Sequence, residues 1–281
     1  AADFASLPLE RFAYNQSKGT VVVNAEYFST TNNGDNRSYF FLGKAYHYNY
    51  QFTNALISYN VFATKGADNY KKEYKLDLHM SQARSGNKLL GNLTELIVEE
   101  KTETKIDNFP YSYDLEQMNG RIIISETFQT KYDKKLGYRS MSFFPSVGSD
   151  QNVIFYSSYG KDGSTGLDLY SSKRLPNGDW GDAQKLPEHI NTPYDDAYGF
   201  LHSSGTVFYF CSEGHNSMGG YDVFKCNYDI ASNTFSAPIN LDYKINTPDD
   251  DIMYVVDEEQ KNAYFASTRA APGGYIDVYK V

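Results

Sequence analysis

Hydrophobic positions along the chain change their period near residue 90. Before it, apolar and small residues recur at helical spacing. Tyr39, Leu42, Gly43 and Tyr46 fall three and four apart, on one face of a helix. A break near Asn49 precedes a second helix with Ala55, Tyr59 and Phe62 on one face. A third helix is expected over residues 69–84, with Tyr70, Tyr74, Leu76, Leu78 and Met80 available for burial. Beyond residue 90, short aromatic runs alternate with clusters of Gly, Asn, Asp and Ser, the pattern of short strands and turns.

These runs repeat. Ile190-Asn191-Thr192-Pro193 recurs as Ile245-Asn246-Thr247-Pro248, 55 residues later. Asp195 and Asp196 return as Asp250 and Asp251, Tyr209-Phe210 as Tyr264-Phe265, and Asp222-Val223-Phe224 as Asp277-Val278-Tyr279. Phe155, Ser157 and Asp168-Leu169-Tyr170 fit the same template one unit earlier. A unit reads as four short antiparallel strands over 198–200, 206–211, 221–226 and 234–239. The second of these is apolar on both faces, as a strand sandwiched between neighbouring sheets should be. A weaker unit begins near Ile106, with Tyr111-Ser112-Tyr113, Gly120 and Ile122-Ile123-Ile124-Ser125.

Four-stranded sheets repeating at this length are the sequence signature of a β-propeller. The expected fold is therefore α plus all-β: a helical segment over 1–90, then a propeller of four-stranded blades over 91–281 with four recognisable blades. The blades are expected near 106–139, 140–186, 187–241 and 242–281, with 93–101 as a strand that could close the ring. A fragment of a five- or six-bladed ring is the alternative.

The helical spacing Tyr39, Leu42, Gly43, Tyr46, Ala55 and Tyr59 resembles a tetratricopeptide repeat, although Ala67 stands where the closing Pro is usual. One such repeat needs neighbours to bury its faces, so residues 7–30 and 69–84 are expected to flank it as helices. The later template, with Gly219-Gly220-Tyr221-Asp222-Val223-Phe224, resembles the PD40 (WD40-like, TolB-type) repeat. The two together resemble a Bacteroidetes arrangement of periplasmic, outer-membrane-associated proteins, some implicated in type IX secretion. That resemblance implies protein partners in the cell envelope. It also implies contact with peptidoglycan, through an OmpA-like domain that is not in this chain.

Composition fits a β-rich chain, with 26 Tyr, 18 Phe and 16% aromatic residues. A net charge of −9 with scattered Lys and Arg argues against nucleic acid as a partner. No apolar run approaches the roughly 18 residues of a membrane span. The first residues, 1–12, lack a basic start followed by an apolar run, so the numbering is expected to begin after processing or inside a longer chain. No lipid-attachment Cys stands at the start. Cys211 and Cys226 are expected to be packed free thiols on neighbouring strands.

Candidate chemistry is sparse. His47, His79, His189, His202 and His215 lack metal-ligand spacing, and no nucleophile elbow, phosphate loop or dinucleotide fingerprint occurs. No cofactor is expected. Asp195, Asp196 and Asp249-Asp250-Asp251 enter first strands, where they could ring the mouth of a channel, bind Ca²⁺ or act in glycoside hydrolysis. The competing reading makes them architectural, bonded to backbone N–H groups. Recurrence favours that reading, because catalysis breaks symmetry. The same holds for Asp168, Asp222 and Asp277 at the starts of third strands. The function expected is a non-catalytic interaction scaffold, with Tyr46, Tyr48, Tyr50, Tyr159, Tyr194 and His215 as candidate contacts. The alternatives are a glycoside hydrolase and a carbohydrate-binding protein using Tyr159, Tyr194 and Tyr221.

Overall fold

The computed structural model of the protein describes residues 35–92, 96–116, 118–145 and 152–281. The flanking helix expected over 7–30 lies outside the described residues, as does part of the 93–101 segment. Helices come first: α1 (Arg37–Tyr48), α2 (Phe52–Lys65), α3 (Asp68–Glu73) and α4 (Leu76–Leu89). The third expected helix is two, because Lys75 adopts a left-handed conformation (φ +47°) and breaks the rod between α3 and α4. The helices pack through small residues against rings. A Cβ built on Gly43 would lie 2.4 Å from the Tyr59 ring, and one on Gly86 2.4 Å from the Phe52 ring. Phe52, Ala55, Tyr59 and Phe62 are all fully buried in that contact.

The rest of the described chain is antiparallel sheet, with one short helix, α5 (Lys131–Leu136). Ahead of α5 in the chain come β1 (Glu100–Lys105) and β2 (Gly120–Ser125). After it come β3 (Ser140–Pro145), β4 (Val153–Ser158), β5 (Asp168–Lys173), β6 (Gln184–Lys185), β7 (Asp196–Leu201), β8 (Val207–Ser212) and β9 (Asp222–Asp229). The last are β10 (Thr234–Phe235), β11 (Ile239–Asn240), β12 (Asp251–Val256), β13 (Ala263–Ser267) and β14 (Tyr275–Lys280).

These strands correct the expected propeller of four four-stranded blades. They form four separate open sheets of two, three, five and four strands, and none closes on itself among the described residues. The physical cause lies in the outer strands. β6, β10 and β11 are only two residues long, and β2 pairs with β3 alone, in register Ser125 with Ser140. That pairing crosses the expected unit boundary at 139–140. The fourth strand of the last sheet is β1, which pairs with β14 from Glu100–Lys280 to Lys105–Tyr275. A sequence repeat reports that successive units are built alike; it does not report that they close.

What the repeat does encode is a clamp between successive sheets. Asn191, just before β7, accepts a bond from the Leu169 N–H of β5 (2.8 Å) and donates to Leu169 O (3.0 Å). One unit later, Asn246 accepts from the Val223 N–H of β9 (2.8 Å) and donates to Val223 O (2.9 Å). The Asp196 N–H donates to Leu167 O and the Asp251 N–H to Tyr221 O, both at 2.7 Å. Even the irregularity recurs: Tyr198 and Met253 both take positive φ at the bulges of β7 and β12.

The core follows from strand alternation. β8 turns Phe208 and Phe210 into one cluster with Phe155, Leu169 and Phe224, and Tyr209 and Cys211 into another with Val255 and Phe265. Cys211 and Cys226 are buried free thiols; the register sets Cys211 opposite Val223 and Cys226 opposite Phe208.

Candidate functional site

The recurring carboxylates each commit at least one oxygen to a fixed partner. Asp195 Oδ1 accepts from the Leu167 N–H (2.8 Å) and Asp250 Oδ1 from the Tyr221 N–H (3.0 Å), each across to the preceding sheet. Glycine is required opposite them: a Cβ on Gly166 would sit 2.6 Å from Asp195 Oδ1, and one on Gly220 2.0 Å from Asp250 Oδ1. Asp196 Oδ2 accepts from the N–H (2.5 Å) and hydroxyl (3.0 Å) of Thr192. Asp251 does the same with Thr247 (2.5 and 2.8 Å) and also pairs with Arg269 at 2.5 Å. The third-strand residues are equally enclosed. Asp168 meets Lys185 (2.7 Å), Asp277 meets Lys101 (2.8 Å), and Asp222 accepts from Asn240 (2.7 Å) and the Met218 N–H (3.0 Å). Burial pushes the Asp196 carboxyl up to about 7, and that of Asp222 well above the usual carboxylate range.

Unlike these, one region breaks the repeat. The helical layer docks on the loops that precede β9 and β12. Its core cluster takes in Met218 and Tyr243 from the sheet side. The Tyr243 hydroxyl donates to Gly86 O (2.8 Å), and Gln82 donates to Glu213 O (3.1 Å). His47 Nε2 lies 2.6 Å from Met218 O, and Nδ1 lies 3.3 Å from the Tyr59 hydroxyl. A carbonyl only accepts, so Nε2 carries the proton and Nδ1 accepts from Tyr59. Burial drives the His47 pKa down to about 4, which keeps the ring neutral.

A cavity of about 730 Å³ remains between the two layers. Its helical wall carries Lys44, Tyr48, Lys75 and His79; its sheet wall carries Glu213 and Asp250. Exposed Ile106 and Tyr275 stand at its rim. Lys75 Nζ bridges to Glu213 at 3.1 Å and ties the walls together. Burial and the neighbouring Glu213, Asp251 and Asp249 push the Asp250 carboxyl up to about 6. A second cavity of about 320 Å³ adjoins the first and shares Leu78, Gln82 and Glu213 with it.

The candidate contact residues divide. Tyr48 lines the first cavity, and Tyr194 and His215 line the second. His215 is also a packing residue: its Nε2 donates to Ile190 O (2.8 Å) and its ring meets Phe210 and Phe224. Tyr46 and Tyr50 pack against the helical core, with Tyr50 against Tyr243 at 6.0 Å. Tyr159 lies against Tyr132 and Tyr138. Tyr221, half-buried, meets Tyr198 edge-on. The cavity residues Lys44, Lys75, His79 and Glu213 had no signal in sequence as a group, because they lie on separate elements joined only by docking.

Among the described residues, no group of three or more His, Cys, Asp or Glu side chains is placed to hold a metal ion. No helix among them is long and apolar enough to cross a membrane. Comparison of the chain with protein-family models, curated proteins and solved structures returns no match.

Proposed function

We propose that the chain is a non-catalytic, protein-binding scaffold of the bacterial cell envelope, periplasmic or outer-membrane-associated, serving as an accessory to a secretion or envelope-maintenance complex. The observation that supports this most is the fate of the repeated carboxylates. Asp195 and Asp250 each commit an oxygen to a backbone N–H of the preceding sheet, and Asp196 and Asp251 each commit one to the N–H and hydroxyl of a Thr four residues earlier. Groups fixed in that way are poor candidates for acid–base work on a substrate. What is left for recognition is the cleft between helices and sheets, with Tyr48, Tyr194 and Tyr275 along it. The envelope assignment rests on the likeness of Gly219-Gly220-Tyr221-Asp222-Val223-Phe224 to PD40 repeats. Capture from envelope extract tests the reading. Wild type should retain a discrete partner that Tyr48→Ala loses; recovery of no protein by the wild type sinks it.

A hydrolytic reading has one observation in its favour: Glu213 and Asp250 face one cavity in unlike surroundings. Release of reducing sugar from envelope glycans, abolished by Glu213→Gln, would establish it in place of the scaffold.

A further inference from the structure

The walls of the larger cavity are segregated by charge. The cationic side chains among the described lining residues come from the helical layer: Lys44 on α1 and Lys75 at the start of α4, while burial keeps the His47 and His79 rings neutral. Both carboxylates that line it, Glu213 and Asp250, come from sheet loops. Among the described lining residues, the helical wall contributes no acid and the sheet wall no base. Lys75 and Glu213 neutralise one another across it at 3.1 Å, so the direction of the cavity, positive toward the helices and negative toward the sheets, is carried by Lys44 and Asp250.

Two further features point to a ligand. The Asp250 carboxylate has backbone N–H donation from Tyr221 but forms no ion pair among the described residues, and the charged neighbours that raise its pKa are the acids Glu213, Asp251 and Asp249. A cation placed there would relieve that crowding. The volume, about 730 Å³, falls within the roughly 300–1,000 Å³ of small-ligand pockets. Tyr48 on one wall and Tyr275 at the rim offer apolar faces between the charged ends.

We propose that this cavity binds a short zwitterionic peptide, with its carboxylate toward Lys44 and its ammonium toward Asp250. A lone ion would satisfy one wall and oppose the other. A peptide with both termini free satisfies both, and a volume of about 730 Å³ has room for a few residues of backbone. The proposal stands beside the scaffold reading and does not rest on it, since it concerns a small ligand and is read without any protein partner.

The test uses the purified chain and tri-alanine in three forms: free, N-acetylated and C-amidated. Binding is followed by titration calorimetry and by NMR shifts of the His79 ring. Free tri-alanine should bind, and each blocked form should bind at least tenfold more weakly. Lys44→Met should bind free and C-amidated peptide alike, while Asp250→Asn should bind free and N-acetylated peptide alike. Asp250→Asn keeps an oxygen for the Tyr221 N–H, and thermal melting confirms that both variants are folded. The proposal is overturned if free tri-alanine shows no binding up to about 10 mM, an affinity too weak for a built site. It is equally overturned if only one of the two blocking groups matters, which would mark the terminus of a longer chain.

Discussion

Asn246→Ala removes the clamp from one unit, and its cost can be worked out bond by bond. The side chain is fully buried and makes three hydrogen bonds. Val223 O keeps a second donor, the Leu241 N–H at 3.1 Å, and Asn240 Oδ1 keeps the Asp242 N–H at 2.7 Å. The Val223 N–H has no such substitute. An orphaned buried donor costs about 1–3 kcal/mol, and each bond lost with its partner resatisfied about 0.5–1 kcal/mol. The expected loss is about 3 kcal/mol, or a fall of about 6–12 °C in Tm for a chain of this size. Asn191→Ala should cost at least as much: Leu169 O likewise keeps the Leu186 N–H at 2.9 Å, but Leu186 O loses the Asn191 donor at 3.0 Å. Asn227→Ala, at an exposed position on β9, is the control and should stay within about 0.5 kcal/mol. Urea unfolding gives the stability, and hydrogen exchange at the Val223 amide reports the orphaned group. A loss below about 1 kcal/mol with unchanged Val223 protection would refute the clamp.

Burial holds the Asp196 carboxyl at about 7 in the folded chain, so it keeps a proton that the unfolded chain releases above about 4. Its contribution is complete below pH 4 and is lost as pH rises through 7; Asp196→Asn should flatten that part of the stability–pH curve, and an unchanged slope would count against the assignment. Gly86→Ala places a Cβ 2.4 Å from the Phe52 ring, and overpacking of about 1–3 kcal/mol should outweigh the helix gain of about 1 kcal/mol. A higher Tm would show that the α2–α4 contact is looser than described. Cys211 and Cys226 are buried, with the Cys226 thiol pushed up to about 12 by desolvation. A thiol reagent should label neither until denaturant is added, and labelling of the native chain would contradict their packing.

The helices were legible because their apolar spacing is local: Tyr39, Leu42, Gly43 and Tyr46 all fall within α1. The break at Lys75 was not, since a positive φ at a lysine leaves no compositional mark. Strands 206–211 and 221–226 were visible in their aromatic runs, and β8 and β9 lie one to three residues from those bounds. Closure of the sheets was read into the repeat and is absent from the described structure. What recurs is a set of side-chain clamps at one corner of each unit, and these work whether or not a ring closes. Recurrence points to an architectural role for the Asp residues but not to its reach: Asp195 and Asp250 bond across to the preceding sheet, a contact 28 and 29 residues away in sequence. Asn191 and Asn246 stood in the recurring motif without a role, because an Asn clamp depends on the register of a distant strand. The cavity was invisible for the same reason: Lys44 and Asp250 meet only through docking of the two layers.

The claim that the helix–sheet cleft is the recognition surface is tested most directly by photo-crosslinking in the envelope of living cells. A photoreactive residue is placed at Tyr48, in the cleft, or at Ile230, exposed on the turn after β9. The account predicts a discrete crosslinked partner from position 48 and none from position 230. No adduct from position 48, or the same adduct from both positions, would contradict it.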